Sequence, residues 1–283
     1  MTHPGSTDAP SALGSPVGRL SSAYSDTGSA GVLIINADDW GRDETTTDRI
    51  LECVQQGTVS SSSSMMFMGD SERAAALALE HRIDVGLHLN LTTAFSAPNV
   101  GGLLEGHWQR VSAFLRRSRL AQVFCHPGLA SSFEYLVKAQ LEEFHRLHGF
   151  EAQRIDGHHH MHLCANVLRG KLLPAGTIVR KNFSFRSGEK SWFNRQYRAR
   201  LDRRIKERHR TTDFFFNLAP IEPERLRRIF EVACHSVVEV ETHPVNPEEY
   251  EYLQGRDIFD HIGGLNIVSG FSLPQIDGKN EAA

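Results

Sequence analysis

Acidic and imidazole side chains follow apolar, strand-like runs at three widely separated points of this 283-residue chain. The three segments are Asn36-Ala37-Asp38-Asp39-Trp40-Gly41, Gly86-Leu87-His88-Leu89-Asn90 and Asp156-Gly157-His158-His159-His160-Met161-His162. They can form one site only in a fold that gathers distant strand ends. Parallel strands in a β/α barrel do this, because their carboxyl ends meet at one rim.

Strand-like and helix-like patterns alternate along most of the chain. Val32–Ile35 is a continuous apolar run, typical of a strand covered on both faces. Repeated β-α units predict an α/β fold whose parallel sheet is closed, or nearly closed, into a barrel. The segment 92–131 is too long for a simple connection, and we expect it to shape the rim of the site. Further strands are predicted at 59–67, 83–91, 152–156, 177–180, 213–218, 236–242 and 265–268, and helices at 43–56, 71–81, 132–148, 223–234 and near 247–253.

Composition indicates one globular domain. The apolar fraction of 40% is that of an ordinary soluble globular protein, and the formal charge of −3 argues against a surface devoted to nucleic acid. Residues 1–30 are rich in Ser, Gly and Pro and lack periodicity, which predicts a disordered tail before a single domain at 31–275. Nothing in the sequence resembles a membrane span or a signal peptide. The four dispersed cysteines are typical of reduced thiols, so we expect a cytoplasmic protein.

Asp38 and Asp39 are adjacent, so their side chains would point to opposite faces of an extended strand. At the bend where a strand meets its loop, both can approach one centre. One carboxylate could then bind a metal ion while the other takes a proton from water. The alternative is a helix N-cap or a turn pair, since Asp favours both.

The histidines allow two interpretations. A lone strand histidine such as His88 is more often a hydrogen-bonded core residue than a metal ligand. If the later cluster stays extended, Asp156, His158, His160 and His162 share one face, where a neighbouring group could orient a metal-binding imidazole. The alternative is a histidine-rich surface loop that binds metal adventitiously.

A fourth segment adds carboxylates and one more imidazole. Glu239, Glu241 and His243 alternate on one face of a predicted strand. The carboxylates could orient His243, or the strand could be amphipathic and lie at an edge. His243, just before Pro244 at a strand end, is suitable as a general acid, although a structural role is an open alternative.

The segment 181–210 forms a basic insertion. From Arg180 to Arg210 there are 12 Lys or Arg and 3 acidic residues, a net charge of +9. Phe193, Tyr197, Leu201 and Ile205 recur every four residues, which predicts a helix. It is either a packed helix with a solvated cationic face or a contact for phosphate in a nucleotide sugar, a lipid-linked glycan or an anionic membrane surface. No stacking or helix-turn-helix signature accompanies the charge, so we expect no nucleic-acid partner.

Taken together, these motifs resemble the YdjC-like carbohydrate deacetylases, which include chito-oligosaccharide deacetylases and hopanoid-associated deacetylases. The resemblance covers about residues 32–245 and includes His243-Pro244. It implies a distorted seven-stranded (β/α) barrel of the polysaccharide-deacetylase type. It also implies a metal-dependent hydrolase that removes the N-acetyl group from an acetylated amino sugar and releases acetate.

The resemblance also implies roles for individual residues. Asp39, His88 and His158 would hold one divalent ion, Mg or Zn, with Co or Mn as further options. Asp38 would be the general base and His243 the acid. Beyond what the resemblance implies, the remaining candidates are the substrate contacts Trp40, Asn90 and Arg180 and the supporting residues Asp156, His160, His162 and Glu241. Arg180 could instead orient Asp38 or be a plain surface arginine.

Two other functions stay open. A phosphoesterase on a similar barrel would release phosphate and could use His160 and His162 for a second metal. A sugar-binding protein with a degenerate site would catalyse nothing. Phosphate or lipid linkage of the sugar, contact of 181–210 with a membrane, and a homodimer are left open as well.

Overall fold

In a computed structural model of the chain, residues 31–185, 191–263 and 267 are described. Seven parallel strands of this part form one curled sheet in the order β5-β4-β3-β2-β1-β7-β6, which confirms the predicted barrel-like α/β fold. The strands are Val32–Trp40 (β1), Ser61–Ser64 (β2), Val85–Leu89 (β3), Arg154–Gly157 (β4), Ile178–Val179 (β5), Phe214–Asn217 (β6) and Val237–Thr242 (β7).

The first strand lies at the centre of the sheet. It pairs with β2 on one side and with β7 on the other. Leu33, Ile34 and Ile35 are completely buried, as the continuous apolar run predicts for a strand covered on both faces. The end of β1 is therefore held in the middle of the sheet.

The two edges of the sheet approach each other. The Val179 amide donates to the Arg210 carbonyl at 2.9 Å, and the Arg210 amide donates to the Thr177 carbonyl at 3.0 Å. Beyond β5, the Ser184 amide donates to the Phe215 carbonyl at 2.8 Å. Because the sheet curls this far, the carboxyl ends of its strands face one centre.

Helices cover the outside of the sheet, and several begin and end with capping residues. The Asp43 side chain accepts a hydrogen bond from the Thr46 amide at the start of α1. Gly149, with φ of 79°, ends α4 in the left-handed region that glycine tolerates best. The helices are Glu44–Gln56 (α1), Ser71–His81 (α2), Gly102–Arg117 (α3), Ala130–His148 (α4), Ala165–Arg169 (α5), Trp192–Lys206 (α6), Pro223–Ala233 (α7), Pro247–Gln254 (α8) and Asp257–Ile262 (α9).

The basic segment 181–210 contains α6, which forms the crossover between β5 and β6. The predicted tail 1–30 lies outside the described residues, so the division into tail, domain and insertion stays a prediction. Of the predicted strand 265–268 only Ile267 is described, and it bridges to Leu33. Within the ranges given above, no helix has the length and apolar character needed to cross a bilayer.

Candidate metal centre and acid–base site

The adjacent carboxylates of Asp38 and Asp39 lie at the end of the central strand. The register of β1 against β2 shifts between Ala37 and Trp40, and Asp39 has φ of 71°. This left-handed residue interrupts the alternation of an extended strand. Both carboxylates approach His88, from whose ring nitrogens they lie 3.9 Å and 3.3 Å away, as expected for a bend at this point.

Asp39, His88 and His158 form a buried cluster of possible metal ligands. One oxygen of Asp39, Oδ1, lies 2.9 Å from His158 Nδ1 and 3.3 Å from His88 Nε2. One ligand atom from each residue lies within 4.8 Å of the other two. A carboxylate and two imidazoles are a donor set that divalent metals accept.

His88 is oriented as a metal-binding histidine would be. Its Nδ1 lies 2.7 Å from Asp156 Oδ1, while its buried Nε2 has no hydrogen-bond partner among the described residues. A carboxylate on one ring nitrogen commonly orients the other toward a metal. Burial opposes protonation of His88, but the negative charge of Asp38 helps raise its pKa to about 10. The surroundings therefore favour positive charge at this point, so the residues present fit a cation.

Asp38 is held beside this cluster by a buried arginine. Its two oxygens accept hydrogen bonds from Arg180 at 2.7 and 2.8 Å, and Oδ1 also accepts one from Asn36 at 2.8 Å. Burial disfavours the carboxylate, but the charge of Arg180 lowers its pKa below the usual range. His243 Nε2 lies 3.9 Å from Asp38 Oδ2. An ionised carboxylate and an imidazole thus lie together beside the metal cluster.

Arg180 is the centre of the buried charge network. Besides Asp38, it contacts Asp156 at 3.0 Å, Glu239 at 2.7 Å and Glu241 at 3.2 Å. These contacts supply the partner that two inward-facing glutamates need, although burial still raises the pKa of both. The Arg180 side chain is only 1% exposed, and orientation of Asp38 is the predicted role that its contacts support.

Two other residues that were predicted as substrate contacts are completely buried in this structure. Trp40 is completely buried in the core, and its Nε1 donates to the Ala74 carbonyl at 3.0 Å. Asn90 is completely buried as well, and its side-chain oxygen accepts from the amides of Thr92 and Thr93. Packing and local backbone hydrogen bonds occupy both side chains, and their contact with a sugar stays a prediction.

The histidine cluster is not extended, which corrects the predicted alternation. Strand β4 ends at Gly157, and His159 and His160 have φ of 54° and 56°. The resulting turn points His158 at Asp39, while His162 Nε2 contacts the Arg180 carbonyl at 2.9 Å. His160 Nε2 lies 3.7 Å from Glu241 Oε1. His162 thus contacts the Arg180 backbone, whereas His160 lies beside Glu241 and lines the same cleft as His158.

Several residues of the site were not predicted from the sequence. Arg42 Nη1 donates to the second oxygen of Asp39, Oδ2, at 2.8 Å, and its side chain is 29% exposed. Arg154 donates to Asn36 Oδ1 at 2.7 Å and to Ser63 Oγ at 3.0 Å. The only available signal was the position of Asn36 beside the Asp pair, since an Arg or Ser in a strand says nothing about its partners.

These groups line a cleft of about 350 Å³. Asp38, Asp39 and His88 lie at its base, and Arg42 and His243 contribute to its walls. In the part of the chain that the structure describes, the candidate metal clusters are this triad and a second set of Asp38, His88 and Asp156, which shares His88 with it. The site can therefore bind a cation, move a proton and admit a small substrate.

Comparisons with known proteins agree with this geometry. A model of the YdjC-like protein family matches residues 32–260. The carbohydrate deacetylase of Clostridium beijerinckii is 28% identical over 257 residues, which cover 83% of this chain and 96% of that protein. The carbohydrate deacetylase of Geobacillus stearothermophilus is 36% identical over 135 residues, covering 47% of this chain and 51% of that protein.

One solved structure is similar in fold. It is a protein of Enterococcus faecalis V583, provisionally described as a cellobiose-phosphate cleavage protein, with a TM-score of 0.58 and 20% identity. The similarity covers 83% of this chain and 94% of that one. At this identity it supports the fold alone.

Proposed function

This chain belongs to the YdjC-like protein family, and from that premise we propose that it is a metal-dependent hydrolase that removes the N-acetyl group from an acetylated amino sugar. The relatives named as carbohydrate deacetylases support the reaction class. The observation that carries the proposal is the buried Asp39, His88 and His158 triad directly beside the ionised Asp38. A metal-dependent amide hydrolase needs this combination of a cation site and a general base.

In this proposal Asp39, His88 and His158 hold the ion. A bound divalent cation supplies Lewis acidity, which polarises the acetyl carbonyl and makes water easier to deprotonate. Asp38 accepts the proton of the attacking water at its carboxylate. Its fixed bidentate contact with Arg180 keeps it ionised and oriented.

His243, whose Nε2 lies 3.9 Å from Asp38 Oδ2, is the general acid in this proposal. Its ring is partly exposed to the cleft, and its Nε2 donates a proton to the departing amine. Without that proton the amine would be a poor leaving group. Asp156 holds the His88 ring through Nδ1, so that Nε2 would be free to bind the ion.

Acetate release tests the proposal. The chelator-treated protein is supplied with Zn, Mg, Co or Mn and assayed on acetylated amino sugars that are free, polymeric or nucleotide-linked. We expect acetate from at least one sugar with at least one metal, and none without metal. Phosphate release in place of acetate would support the phosphoesterase alternative, and sugar binding without turnover would support a binding protein.

The finer properties are proposals too. We propose Zn or Mg as the ion, since two imidazoles suit Zn or Co while the carboxylate also tolerates Mg or Mn. A phosphate or lipid group on the sugar is supported by the +9 charge of residues 180–210, and turnover on matched phosphorylated and neutral acetamido sugars tests it. A cytoplasmic location and a homodimer are proposals that fractionation and analytical ultracentrifugation test.

A further inference from the structure

Helix α6 exposes two adjacent aromatic side chains at its amino end. Trp192 is 59% exposed and Phe193 is 78% exposed. Large aromatic side chains normally gain free energy by leaving water, so a neighbouring exposed pair indicates a surface that another phase or molecule covers. The opposite side of the helix is held to the protein by Ile205, which is buried.

Cations share the exposed side of α6 with the aromatic pair. At 100° per residue, Trp192, Phe193, Arg200, Arg203 and Arg204 fall within an arc of about 120°. The three arginines are exposed, and no acidic side chain of the described chain forms an ion pair with them. Over its whole length α6 carries six Lys or Arg and one Asp. The exposed face is therefore both aromatic and strongly cationic.

The position of α6 relates this face to the catalytic cleft. Because α6 connects two parallel strands, β5 and β6, its amino end lies at the rim formed by the carboxyl ends of the strands. Residues 180–185, which follow β5, run beside the site, since the Phe183 ring lies 4.7 Å from the ring of His160. Trp192 and Phe193 thus lie at the same rim as the cleft.

We propose that this face of α6 binds the surface of an anionic lipid bilayer. Aromatic rings that enter the interface beside arginines that bind lipid phosphates are typical of helices lying on a membrane. A second copy of the chain fits less well, because a symmetric contact would press two cationic helices together. The inference goes beyond the hydrolysis reaction. Its consequence, access to a substrate held at a membrane, rests on the proposed function.

Vesicle co-sedimentation of the full chain tests the inference. Wild type is mixed with phosphatidylcholine vesicles, with or without phosphatidylglycerol. We expect binding only to the anionic vesicles, weakened by added salt. Arg200→Gln/Arg203→Gln/Arg204→Gln should lower the vesicle affinity about a hundredfold, because each cation at an anionic surface contributes about a factor of five.

Two further variants separate the contribution of the aromatic rings from a general effect of net charge. Trp192→Ser/Phe193→Ser should also lose vesicle binding, by at least about tenfold, because the rings supply the insertion. The control Arg82→Gln/Arg116→Gln/Arg117→Gln removes the same charge from exposed positions elsewhere and should bind like wild type. Circular dichroism and thermal melts of all variants check that they are folded.

The outcomes distinguish this inference from the proposed reaction. The proposed membrane binding would be overturned if wild type bound neutral and anionic vesicles equally. It would also be overturned if the control variant lost as much vesicle affinity as the α6 arginine variant. A dimer in the ultracentrifuge that the aromatic variant abolishes would overturn it as well. Acetate release from a neutral soluble sugar should be unchanged in every variant. If wild type binds vesicles but releases no acetate, the reaction is wrong and the membrane surface stands.

Discussion

The proposed chemistry requires two properties of Asp38, and burial normally opposes one of them. The side chain must accept a proton, yet it has to stay ionised in a buried site, and the bidentate contact with Arg180 provides for this. Asp38→Asn removes the base while preserving the shape of the side chain. We expect acetate release to fall about a thousandfold, the middle of the range for losing a positioned base.

Calorimetric titration with Zn should show that the Asp38→Asn protein still binds one ion, because Asp39, His88 and His158 are unchanged. Arg180 keeps three other carboxylate partners, so the variant should remain folded. Turnover at the wild-type rate would show that another group is the base.

Arg42 fixes the carboxylate that faces the two imidazoles. Its hydrogen bond to Asp39 Oδ2 leaves Oδ1 directed at His88 and His158. Arg42→Met should weaken Zn binding about tenfold, the lower end of the usual effect of a group that orients a ligand. Arg42→Lys should restore part of that affinity, as measured by the same calorimetric titration.

Arg73→Met is the matched control for Arg42→Met. Arg73 also pairs with two aspartates, but these lie at positions 48 and 70, away from the metal cluster. Its replacement should leave Zn affinity unchanged. An equal loss in both variants would assign the Arg42 effect to general electrostatics.

At individual positions, the sequence predicted groups with distinctive chemistry better than their surroundings. The three segments could be grouped because acids and imidazoles follow apolar runs that end at one rim, and the family resemblance then singled out Asp38, Asp39, His88 and His158. Trp40 and Asn90 belong to the same motifs, yet their side chains point into the core. Proximity in sequence to a catalytic residue therefore does not give side-chain direction. The positive φ angles of His159 and His160 could not be predicted either, because the sequence pattern does not give backbone direction after the strand end.

Strands β3 and β4 approach closely where Gly86 lies beside Arg154. A Cβ added at Gly86 would lie 2.9 Å from the Arg154 carbonyl oxygen, which is backbone and cannot move away easily. Gly86→Ala should lower the free energy of unfolding by about 2 kcal/mol, a typical cost of overpacking. Urea denaturation measures this change.

Gly106→Ala provides the control for Gly86→Ala. Gly106 lies within α3, and a Cβ there would meet nothing within 4 Å. Alanine is the better helix former, so this variant should be more stable than wild type by up to about 1 kcal/mol. If Gly86→Ala were equally stabilising, the proximity of the two strands would not be a constraint on the fold.

The end of α4 should make stability depend on pH. His148 packs against Phe144 and Phe150, its Nε2 has no partner among the described residues, and burial lowers its pKa from 6.5 to about 4. Between pH 6.5 and about pH 4, His148 binds a proton in the unfolded chain but stays neutral in the folded chain. Stability should therefore decrease over this window as pH falls.

Comparison with His148→Phe isolates this contribution, because the variant has no titrating group at that position. Urea denaturation of both proteins between pH 7 and about pH 4 should show wild type losing stability relative to the variant as pH falls. A difference in stability that does not change with pH would mean that His148 titrates alike in the folded and unfolded chains.

Whole elements were predicted best where periodicity and stop signals agreed. Helix α4 has a regular apolar stripe and ends at Gly149, and it was found within two residues at its start. Helix α3 was missed, since Gly102 and Gly106 weaken its intrinsic propensity. Burial of Leu104, Val111 and Leu115 against the rest of the protein stabilises the helix, and the local sequence does not reveal that packing. Strand β5 has only two residues, and the predicted strand 177–180 extends one residue beyond each of its ends.

The curled sheet joins metal binding to the stability of the entire domain. Ligands from β1, β3 and the turn after β4 meet only when these strands are paired, so the unfolded chain has no comparable site. An ion that binds the folded chain at a hundredfold excess over its dissociation constant stabilises it by about 2.7 kcal/mol. For a domain of this size that raises the melting temperature by roughly 5–10 °C.

Thermal melts with and without Zn, after treatment with a chelator, measure this shift. His158→Asn should abolish it, because one of the three ligands is lost. His81→Asn should preserve it, since that exposed histidine lies at the end of α2. A shift that survives His158→Asn would mean that the ion stabilises the fold from another position. The proximity of Asp39, His88 and His158 would then reflect the buried charge network alone, and the assignment of the metal site would be wrong.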